Sequence, residues 1–317
     1  MDEQTALVLA IQLVALFSIA GALLLYLLCK IRAGVGCESS ENLPGAGKPV
    51  LVTCCDTAIG LQIAIHLANR GFRVFAGLKD GAASGESNDS TSSRVIRAWQ
   101  KHRETLPGLQ GTLVALPLDV TREDLLHEAV DIIRAHLPAG EDGVWAVINT
   151  SGLSYRGRLE QQDVAHWDVM LKTNVIGVLR TARTFQSLLK NTGGRILTLG
   201  ATECGDAGLV AYTAARYGVE GASHALRKEF EPLGIKVVTL NPGVTQAETM
   251  FMPPKFANKE EVTEIPVESN GNLDYYPTVL SQNSLQILDV AVTTKKPDFN
   301  YNLDKISRLA SFKILNL

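Results

Sequence analysis

This chain of 317 residues has few cysteines and a small net charge. Its five cysteines, Cys29, Cys37, Cys54, Cys55 and Cys204, show neither a disulfide framework nor the paired spacing of metal ligands. This usage favours a reduced compartment and predicts no metal site. The formal net charge is only -3, so the composition gives no reason to expect a nucleic-acid partner. No repeat of solenoid length is present, and the length suits one large domain with an appendage.

Residues 5–29 lack charge altogether. These roughly 25 residues, at ~1.5 Å each in a helix, exceed the ~30 Å apolar core of a bilayer. A cleaved signal peptide is one alternative, but Asp2 and Glu3 occupy the place where such a leader is basic. A buried core helix is another, although the stretch has no polar face. We therefore expect a transmembrane anchor over residues 1–32.

Basic residues follow this stretch and acidic residues precede it. By the positive-inside rule, Lys30 and Arg32 leave the C-terminal body in the cytosol. The chain has no Arg-rich amphipathic leader of the kind that marks a mitochondrial address. We expect the anchor to lie in the endoplasmic reticulum membrane. Residues 33–48, with Gly, Ser, Glu and Pro, are predicted to be a linker to a domain that spans residues 49–317.

Short apolar runs alternate with helical patterns along that domain. Residues 49–53 suit a buried parallel strand, and a helix at 59–70 and a strand at 72–76 follow them. This order predicts an α/β fold, a Rossmann-type doubly wound parallel sheet of about six strands. The other predicted elements are strands at 111–118, 144–149, 195–199 and 235–241, helices at 94–103, 122–136, 163–190, 209–230 and 280–293, an insertion at 81–93 and a C-terminal helix at 303–317.

Several short motifs occur in order along the domain. They are Val74-Phe-Ala-Gly77, Leu118-Asp-Val-Thr121, Trp145-Ala-Val-Ile-Asn149, Lys172-Thr-Asn-Val-Ile-Gly177, Asn241-Pro-Gly243 and a Lys-x-Pro-x-x-x-Tyr ending at Tyr301. With them the chain resembles the short-chain dehydrogenase/reductase family over roughly residues 48–245. The nearest likeness is to its membrane-anchored steroid and retinoid dehydrogenases and its 3-hydroxybutyrate dehydrogenases. The resemblance implies NAD or NADP as the cofactor.

The nucleotide-binding loop of that family, Thr-Gly-x-x-x-Gly-x-Gly, is altered here. It corresponds to Thr53-Cys54-Cys55-Asp56-Thr57-Ala58-Ile59-Gly60, in which only the last glycine remains. The lost glycines let backbone N–H groups approach the pyrophosphate, so cofactor binding and a plain strand–helix corner both stay open. The choice between NAD and NADP is open too, because Lys79 and Asp80 have opposite preferences. The cofactor-binding residues that the resemblance implies are Thr53, Asp56, Thr57, Ile59, Gly60, Asp119, Asn149, Arg216, Pro242 and Gly243.

The catalytic Tyr-x-x-x-Lys pair of the family has one member exchanged, because Tyr212 is followed by Arg216. An i, i+4 pair shares one helix face, and a cation beside a phenol favours its ionised form. Arg216 supplies the charge but cannot shuttle a proton. Asn174 corresponds to the family asparagine that holds a helix kink and a proton-relaying water. The resemblance thus implies Tyr212, Asn174 and Arg216 as the catalytic residues.

The catalytic serine of the family is missing. Gly200 and Ala201 occupy the corresponding positions, about 12 residues before Tyr212. Losing one such hydrogen-bond donor to the substrate costs ~10² to 10³ in rate. Thr198 and Thr202 are the nearby substitutes, although we expect Thr198 to point into the sheet and Thr202 to lie past the strand.

Apolar residues follow the Pro-Gly motif, with Phe251 and Phe256 among them, and resemble the mobile substrate lid of the family. They suit a lipophilic, steroid-like alcohol or ketone, although packing of the lid on the core explains them as well. Two functions follow: a weakened membrane-bound oxidoreductase, or a pseudoenzyme that uses the fold as a scaffold for a sterol or a protein partner. Because helices such as those at 163–190 and 209–230 form dimer interfaces in the family, a homodimer is the expected assembly.

Overall fold

The computed structural model describes residues 44–79, 90–105, 111–201, 206–243, 246–256 and 275–303. The predicted anchor at 1–32, the linker before residue 44, Asp80, most of the insertion at 81–93, Thr202 and the predicted C-terminal helix beyond residue 303 lie outside these ranges. Within them, no helix combines the length and the apolar character needed to cross a membrane.

Nine strands lie within the described ranges: β1 (Pro49–Val52), β2 (Arg73–Leu78), β3 (Thr112–Pro117), β4 (Ala146–Asn149), β5 (Arg195–Leu199), β6 (Lys236–Asn241), β7 (Lys255–Phe256), β8 (Tyr275–Tyr276) and β9 (Asn300–Asn302). Seven of them form one parallel sheet in the order β3-β2-β1-β4-β5-β6-β9. The chain moves outward from β1 to β3 and then returns to place β4 beside β1. The strand order therefore reverses between β1 and β4, as it does in doubly wound folds. β7 and β8 form a separate antiparallel pair.

Helices connect the parallel strands, and several begin or end at residues suited to that place. Thr57, Asp163 and Ser281 are N-caps whose side chains accept a hydrogen bond from the first turn of their helix. A π-helical turn, Lys172–Ile176, interrupts the long segment that was predicted as helices around 163–190. The α-helices are α1 (Ala58–Asn69), α2 (Thr91–Thr105), α3 (Glu123–His136), α4 (Val164–Leu171), α5 (Gly177–Thr192), α6 (Val210–Phe230), α7 (Ala247–Phe251) and α8 (Gln282–Thr293).

The sheet is buried on both faces. In β1, Val50 and Val52 belong to one hydrophobic cluster, whereas Leu51 between them belongs to the cluster on the other face. In β2, Val74 and Phe75 divide in the same way. Because successive side chains of a strand point to opposite faces, an uninterrupted apolar run is what a doubly covered sheet requires. The predicted Rossmann-type α/β fold is confirmed.

One strand of the sheet was not predicted from the sequence. About six strands were expected, but β9 pairs in parallel with β6 through Leu240 and Tyr301 and makes a seventh. Its sequence, Asn-Tyr-Asn, has neither β-branched residues nor an apolar run. It is a strand because β6 offers it a free edge, so the signal lies in tertiary pairing rather than in local propensity.

The described end of the predicted linker packs against this domain. The N–H groups of Gly45 and Gly47 donate to the carbonyls of Arg70 (3.0 Å) and Gly71 (2.9 Å). A Cβ atom on Gly45 would overlap the backbone of Phe72, so the close approach requires glycine. These residues fix the direction from which the chain enters β1.

Candidate active site

The carboxyl ends of β1, β4, β5 and β6 surround the point where the strand order reverses. Doubly wound sheets bind their ligands in the crevice outside these strand ends. The residues predicted as catalytic or cofactor-binding are concentrated in the segments that follow these strands, in α6 and in the π-turn. Topology alone therefore brings most of the predicted site to one edge of the sheet.

In the turn from β1 to α1, a cysteine adopts the backbone conformation that is typical of glycine. Cys54 has φ +51°, in the left-handed region that side chains other than glycine disfavour. Both the N–H (3.1 Å) and the hydroxyl (2.7 Å) of Thr57 donate to the Cys54 carbonyl, and the Thr57 hydroxyl accepts from the N–H of Gly60 (3.2 Å). The turn is thus held by Thr57 although Cys54 carries a Cβ where the family has none.

Gly60 and Ile59 have structural roles at the start of α1. A Cβ on Gly60 would overlap the Cys54 carbonyl and approach the Thr150 hydroxyl to 2.9 Å, so Gly60 permits close packing of α1 on the strand ends. The side chain of Ile59 is fully buried in the core, which leaves only its backbone to meet a ligand. Ala58, at the second lost glycine, is fully buried as well.

The chain itself covers the N-terminus of α1. The N–H of Ala58 donates to the carbonyl oxygen of Met252, at 2.9 Å. This N–H belongs to the helix end that binds a pyrophosphate in the family, because unpaired N–H groups and the helix dipole favour an anion there. Met252 follows directly after α7, and no sequence pattern marks its carbonyl as a functional group.

The two predicted carboxylates, Asp56 and Asp119, brace neighbouring turns. Asp56 accepts a hydrogen bond from the N–H of Lys79, at 2.7 Å. Asp119 accepts from the N–H and the hydroxyl of Thr121, both at 2.8 Å. Asp119 is half-buried just after β3, and Asp56 is half-buried in the β1–α1 turn. The resemblance predicts that these two carboxylates face a bound nucleoside.

The end of β4 is tied to the end of β1. The N–H of Thr150 donates to the hydroxyl of Thr53 at 3.1 Å, and the Thr150 hydroxyl donates to the Thr53 carbonyl. Asn149 accepts from the N–H of Ser151 at 3.0 Å, while its own amide nitrogen has no hydrogen-bond partner among the described residues. A buried amide donor without a partner is a feature that a ligand in the crevice would satisfy.

Tyr212 and Arg216 lie one turn apart on α6 and are both buried, each with 1% of its surface exposed. The guanidinium of Arg216 donates to the carbonyls of Leu199 and Ser151, each at 3.2 Å, and so joins the ends of β5 and β4. Its Cζ lies 5.3 Å from the centre of the Tyr212 ring. The predicted pair is therefore assembled, but much of the donor capacity of Arg216 is directed to the backbone. The planar fork explains this, since a lysine ammonium could not span both carbonyls in the same way.

The ring of Phe251 fills the space next to this pair. Its centre lies 6.2 Å from that of Tyr212 in an edge-on arrangement and 5.1 Å from Cζ of Arg216. A Cβ on Gly152 would overlap both the Phe251 ring and the Arg216 guanidinium, so the ring rests directly on the backbone after β4. The Phe251 ring and the Met252 carbonyl thus both lie against residues that correspond to the cofactor site of the family.

Asn174 lies in the π-turn and holds the loop after β4. Its side-chain oxygen accepts from the N–H of Leu153 at 2.8 Å, and its amide donates to the carbonyl of Leu153 at 2.9 Å. Asn174 is fully buried. A π-turn at a functional position is a common way to re-aim a side chain, and here it supplies the helix kink that the resemblance implied.

Gly200 is one of the two positions that correspond to the missing serine, and the space around it is too small for a side chain. A Cβ there would overlap Oδ1 of Asn241 and the methyl of Thr239, and would lie 3.0 Å from the carboxylate of Glu220. That carboxylate accepts from the N–H of Ala201 at 3.0 Å, a contact that sequence patterns did not reveal. Thr198, one suggested substitute, points away: its hydroxyl lies 3.0 Å from that of buried Ser223.

Pro242 and Gly243 connect β6 to the segment that carries α7. Gly243 has φ +69°, which glycine adopts without strain. Asn241, before them, donates to the side chain of Asn302 at 3.1 Å.

The thiols of this site are protected from ionisation. Burial raises the pKa of Cys54 to about 12, and it raises the pKa of Cys55 well above its usual range. A thiol is nucleophilic and binds metals as the thiolate, so neither group suits such a role at neutral pH. Within the described ranges there is also no cluster of three side chains that could hold a metal ion.

Comparison with known proteins places these features in context. The profile of the short chain dehydrogenase family matches residues 48–253. The mitochondrial D-beta-hydroxybutyrate dehydrogenase of Rattus norvegicus is 32% identical over 222 residues, which are 68% of this chain and 60% of that protein. A 3beta-hydroxysteroid dehydrogenase of Caenorhabditis elegans, dhs-16, is 30% identical over 65% of this chain and 50% of its own length. Retinol dehydrogenase 16 of Mus musculus is 28% identical over 62% of this chain and 56% of its own length.

The chain thus spans 50% to 61% of the length of the curated relatives it matches. Among solved structures, an alcohol dehydrogenase from the archaeon Thermococcus sibiricus, complexed with 5-hydroxy-NADP, has a similar fold. The two chains superpose with a TM-score of 0.52 and 22% sequence identity, over 66% of this chain and 81% of the archaeal chain. At this identity the likeness bears on the fold alone.

Proposed function

Since the chain belongs to the short-chain dehydrogenase family, we propose that it is an oxidoreductase that interconverts a lipophilic alcohol and its ketone with NAD or NADP. One observation carries the proposal: Tyr212 and Arg216 are buried together on one face of α6, with the Arg216 guanidinium fixed across the ends of β4 and β5. A phenol next to a fixed cation can exchange the hydroxyl proton of an alcohol near neutral pH.

We propose that this activity is weakened. Arg216 supplies a positive charge beside the Tyr212 ring but cannot pass a proton onward, because a guanidinium does not deprotonate in proteins. The serine hydroxyl that would donate to the substrate oxygen is replaced by Gly200 and Ala201, a loss worth ~10² to 10³ in rate. In this scheme Asn174 positions the substrate-side loop through its two hydrogen bonds to Leu153.

A steroid-like substrate is the class that we propose. The relatives include proteins named for hydroxysteroid, retinol and hydroxybutyrate substrates, and two of these three substrate classes are lipophilic. Phe251 is half-buried in the segment that borders the crevice and gives it an apolar side, while Met250 beside it packs in the core. An anchor formed by residues 1–32 in the endoplasmic reticulum membrane would hold the site where such molecules partition, with the body in the cytosol.

A homodimer is the assembly that we propose, through α4, α5 and α6. These helices expose several large apolar side chains on the surface of the domain, and exposed apolar surface is typical of interaction sites. The exposed residues are Val169 (42%), Ile176 (44%) and Leu179 (39%) along the α4–α5 segment, and Val210 (55%) and Tyr217 (57%) on α6.

A second candidate is a scaffold without catalytic function, and the geometry at Gly200 favours it. Asn241 and Thr239 occupy the space that a side chain at residue 200 would need, so the neighbourhood has adapted to the loss of the serine. In this case the fold would serve to bind a sterol or a protein partner.

Turnover by the full-length chain in detergent distinguishes the two. The substrates would be hydroxysteroids, retinol and 3-hydroxybutyrate with NAD or NADP, and the corresponding ketones and aldehydes with NADH or NADPH. We expect slow turnover of a hydroxysteroid that Tyr212→Phe abolishes, with Tyr217→Phe, an exposed tyrosine of the same helix, as the matched control. If no substrate is converted, or if Tyr212→Phe retains the full rate, the oxidoreductase proposal fails and the scaffold is favoured.

A further inference from the structure

The segment around α7 occupies the crevice at two separate points. At one end, the Met252 carbonyl accepts the hydrogen bond that the N–H of Ala58 donates at the start of α1. At the other, the Phe251 ring rests on the backbone of Gly152 and faces Tyr212 and Arg216. Two adjacent residues therefore supply an acceptor oxygen at a helix N-terminus and a flat aromatic ring beside the tyrosine.

These two groups have the chemistry of the two ends of a dinucleotide that this type of crevice binds. A phosphate oxygen takes hydrogen bonds from the N–H groups at a helix N-terminus, and a carbonyl oxygen takes the same bond without the charge. A nicotinamide is a flat ring of about the size of a phenyl ring. The segment thus places an acceptor oxygen and a flat ring of its own at the two ends of the crevice.

Side chains elsewhere in α7 hold the segment in place. Glu248 accepts a hydrogen bond from Nε of Arg156 at 2.5 Å, and Arg156 also donates to the carbonyl of Ala207 at 3.2 Å. Met250 is fully buried and Ala247 is 4% exposed. The ion pair lies at the surface, with 46% of the Arg156 side chain and 37% of the Glu248 side chain exposed, so it is a weak restraint that can open.

We propose that residues 246–252 and a nicotinamide dinucleotide compete for the same crevice. The protein holds its cofactor site closed with its own chain, and the cofactor binds only to the conformation in which this segment has moved out. The apparent dissociation constant is then the intrinsic constant divided by the fraction of open protein, so anything that destabilises the closed segment tightens cofactor binding. The inference rests on the proposed function for the identity of the cofactor.

The test is an equilibrium titration of NADH and NADPH against the full-length chain, followed by nucleotide fluorescence. Phe251→Ala removes the ring that fills the site, and we expect it to tighten binding about tenfold or more. Phe299→Ala is the matched control, since Phe299 is 66% exposed and lies beside β9. Glu248→Gln weakens the ion pair without opening a cavity, and we expect about two- to fivefold tighter binding. Its control is Glu160→Gln, which alters an exposed pair with Arg158.

Hydrogen exchange of residues 246–256 with and without NADH provides a readout that does not depend on activity. We expect exchange to increase when the cofactor binds, because the segment is displaced. Equal affinity of wild type and Phe251→Ala for NADH, with unchanged or greater protection of this segment, would overturn the competition while leaving the oxidoreductase proposal intact. If wild type and both variants fail to bind either nucleotide at millimolar concentration, the competition and the proposed function are both overturned.

Discussion

The Met252 carbonyl accepts a 2.9 Å hydrogen bond from the N–H of Ala58, the first residue of α1. This contact ties the altered nucleotide-binding loop to the segment after α7, which is far away in the sequence. Ala58 places a methyl group where a dinucleotide would need a bare backbone, and Ala58 is fully buried. The start of α1 and the residue after α7 are thereby joined directly.

We predict that Cys54→Gly is more stable than Cys54→Ala by about 1 kcal/mol. Both substitutions remove the same buried sulfur, so they differ only in the Cβ atom held at φ +51°. A left-handed conformation costs any residue with a Cβ more than it costs glycine. Urea unfolding of the two variants measures the difference. Equal stability would mean that Cys54 does not hold this backbone conformation in solution.

We predict that Asn174→Ala lowers the free energy of unfolding by about 1–3 kcal/mol. The substitution leaves the N–H and the carbonyl of Leu153 without their partner at a fully buried position. Asn191→Ala is a matched control, because the Asn191 amide makes one hydrogen bond, to the Asp142 carbonyl at 2.9 Å, in an exposed setting. Should both variants unfold at the same urea concentration, Asn174 would not act as the clamp of this loop.

The sequence predicted the sheet well because its strands are short, mostly apolar runs, such as Pro-Val-Leu-Val in β1 and Ala-Val-Ile in β4, separated by helical patterns. The i, i+4 spacing also predicted correctly that Tyr212 and Arg216 share one helix, whereas Asn174 was indicated by the resemblance alone. The sequence could not reveal Phe251 and Met252 as occupants of the crevice. Their contacts are with Gly152 and Ala58, which are far away in the chain, and one of the contacts uses a backbone carbonyl that every residue possesses.

We predict that stability falls above pH 9 and that Cys54→Ala reduces this fall. Burial raises the pKa of Cys54 from 9.0 to about 12, so the folded state retains a proton that the unfolded chain loses between these values. The stabilising contribution is therefore complete below about pH 9 and is lost, by about 1.4 kcal/mol per pH unit, as the pH rises toward 12.

Urea unfolding of wild type and Cys54→Ala at pH 8 and pH 10, under reducing conditions, measures this contribution. Cys55 and Tyr275, whose pKa values are raised as well, are present in both proteins, so the difference isolates the Cys54 thiol together with its charge interaction with Cys55. We expect the wild type to lose about 1 kcal/mol more than the variant between the two pH values. Parallel losses would show that the Cys54 thiol is accessible to solvent in the folded protein.

We predict opposite outcomes for serine at the two positions where the family hydroxyl could return. Gly200→Ser forces a side chain into Asn241 and Thr239 and should destabilise the protein by about 1–3 kcal/mol. Ala201→Ser adds one hydroxyl to a residue that is 9% exposed, and its stability should change by less than about 1 kcal/mol. Urea unfolding of the two variants compares the positions directly.

Turnover then shows whether Ala201 faces the substrate. If it does, the new hydroxyl of Ala201→Ser donates to the substrate oxygen and raises the rate by up to ~10²-fold. Ser223→Ala is a useful counterpart, because its hydroxyl pairs with Thr198 in the core, away from the crevice, and its removal should affect stability rather than the chemical step. A stable Gly200→Ser variant with a raised rate would instead identify residue 200 as the donor position, and would require Asn241 and Thr239 to move when a side chain enters.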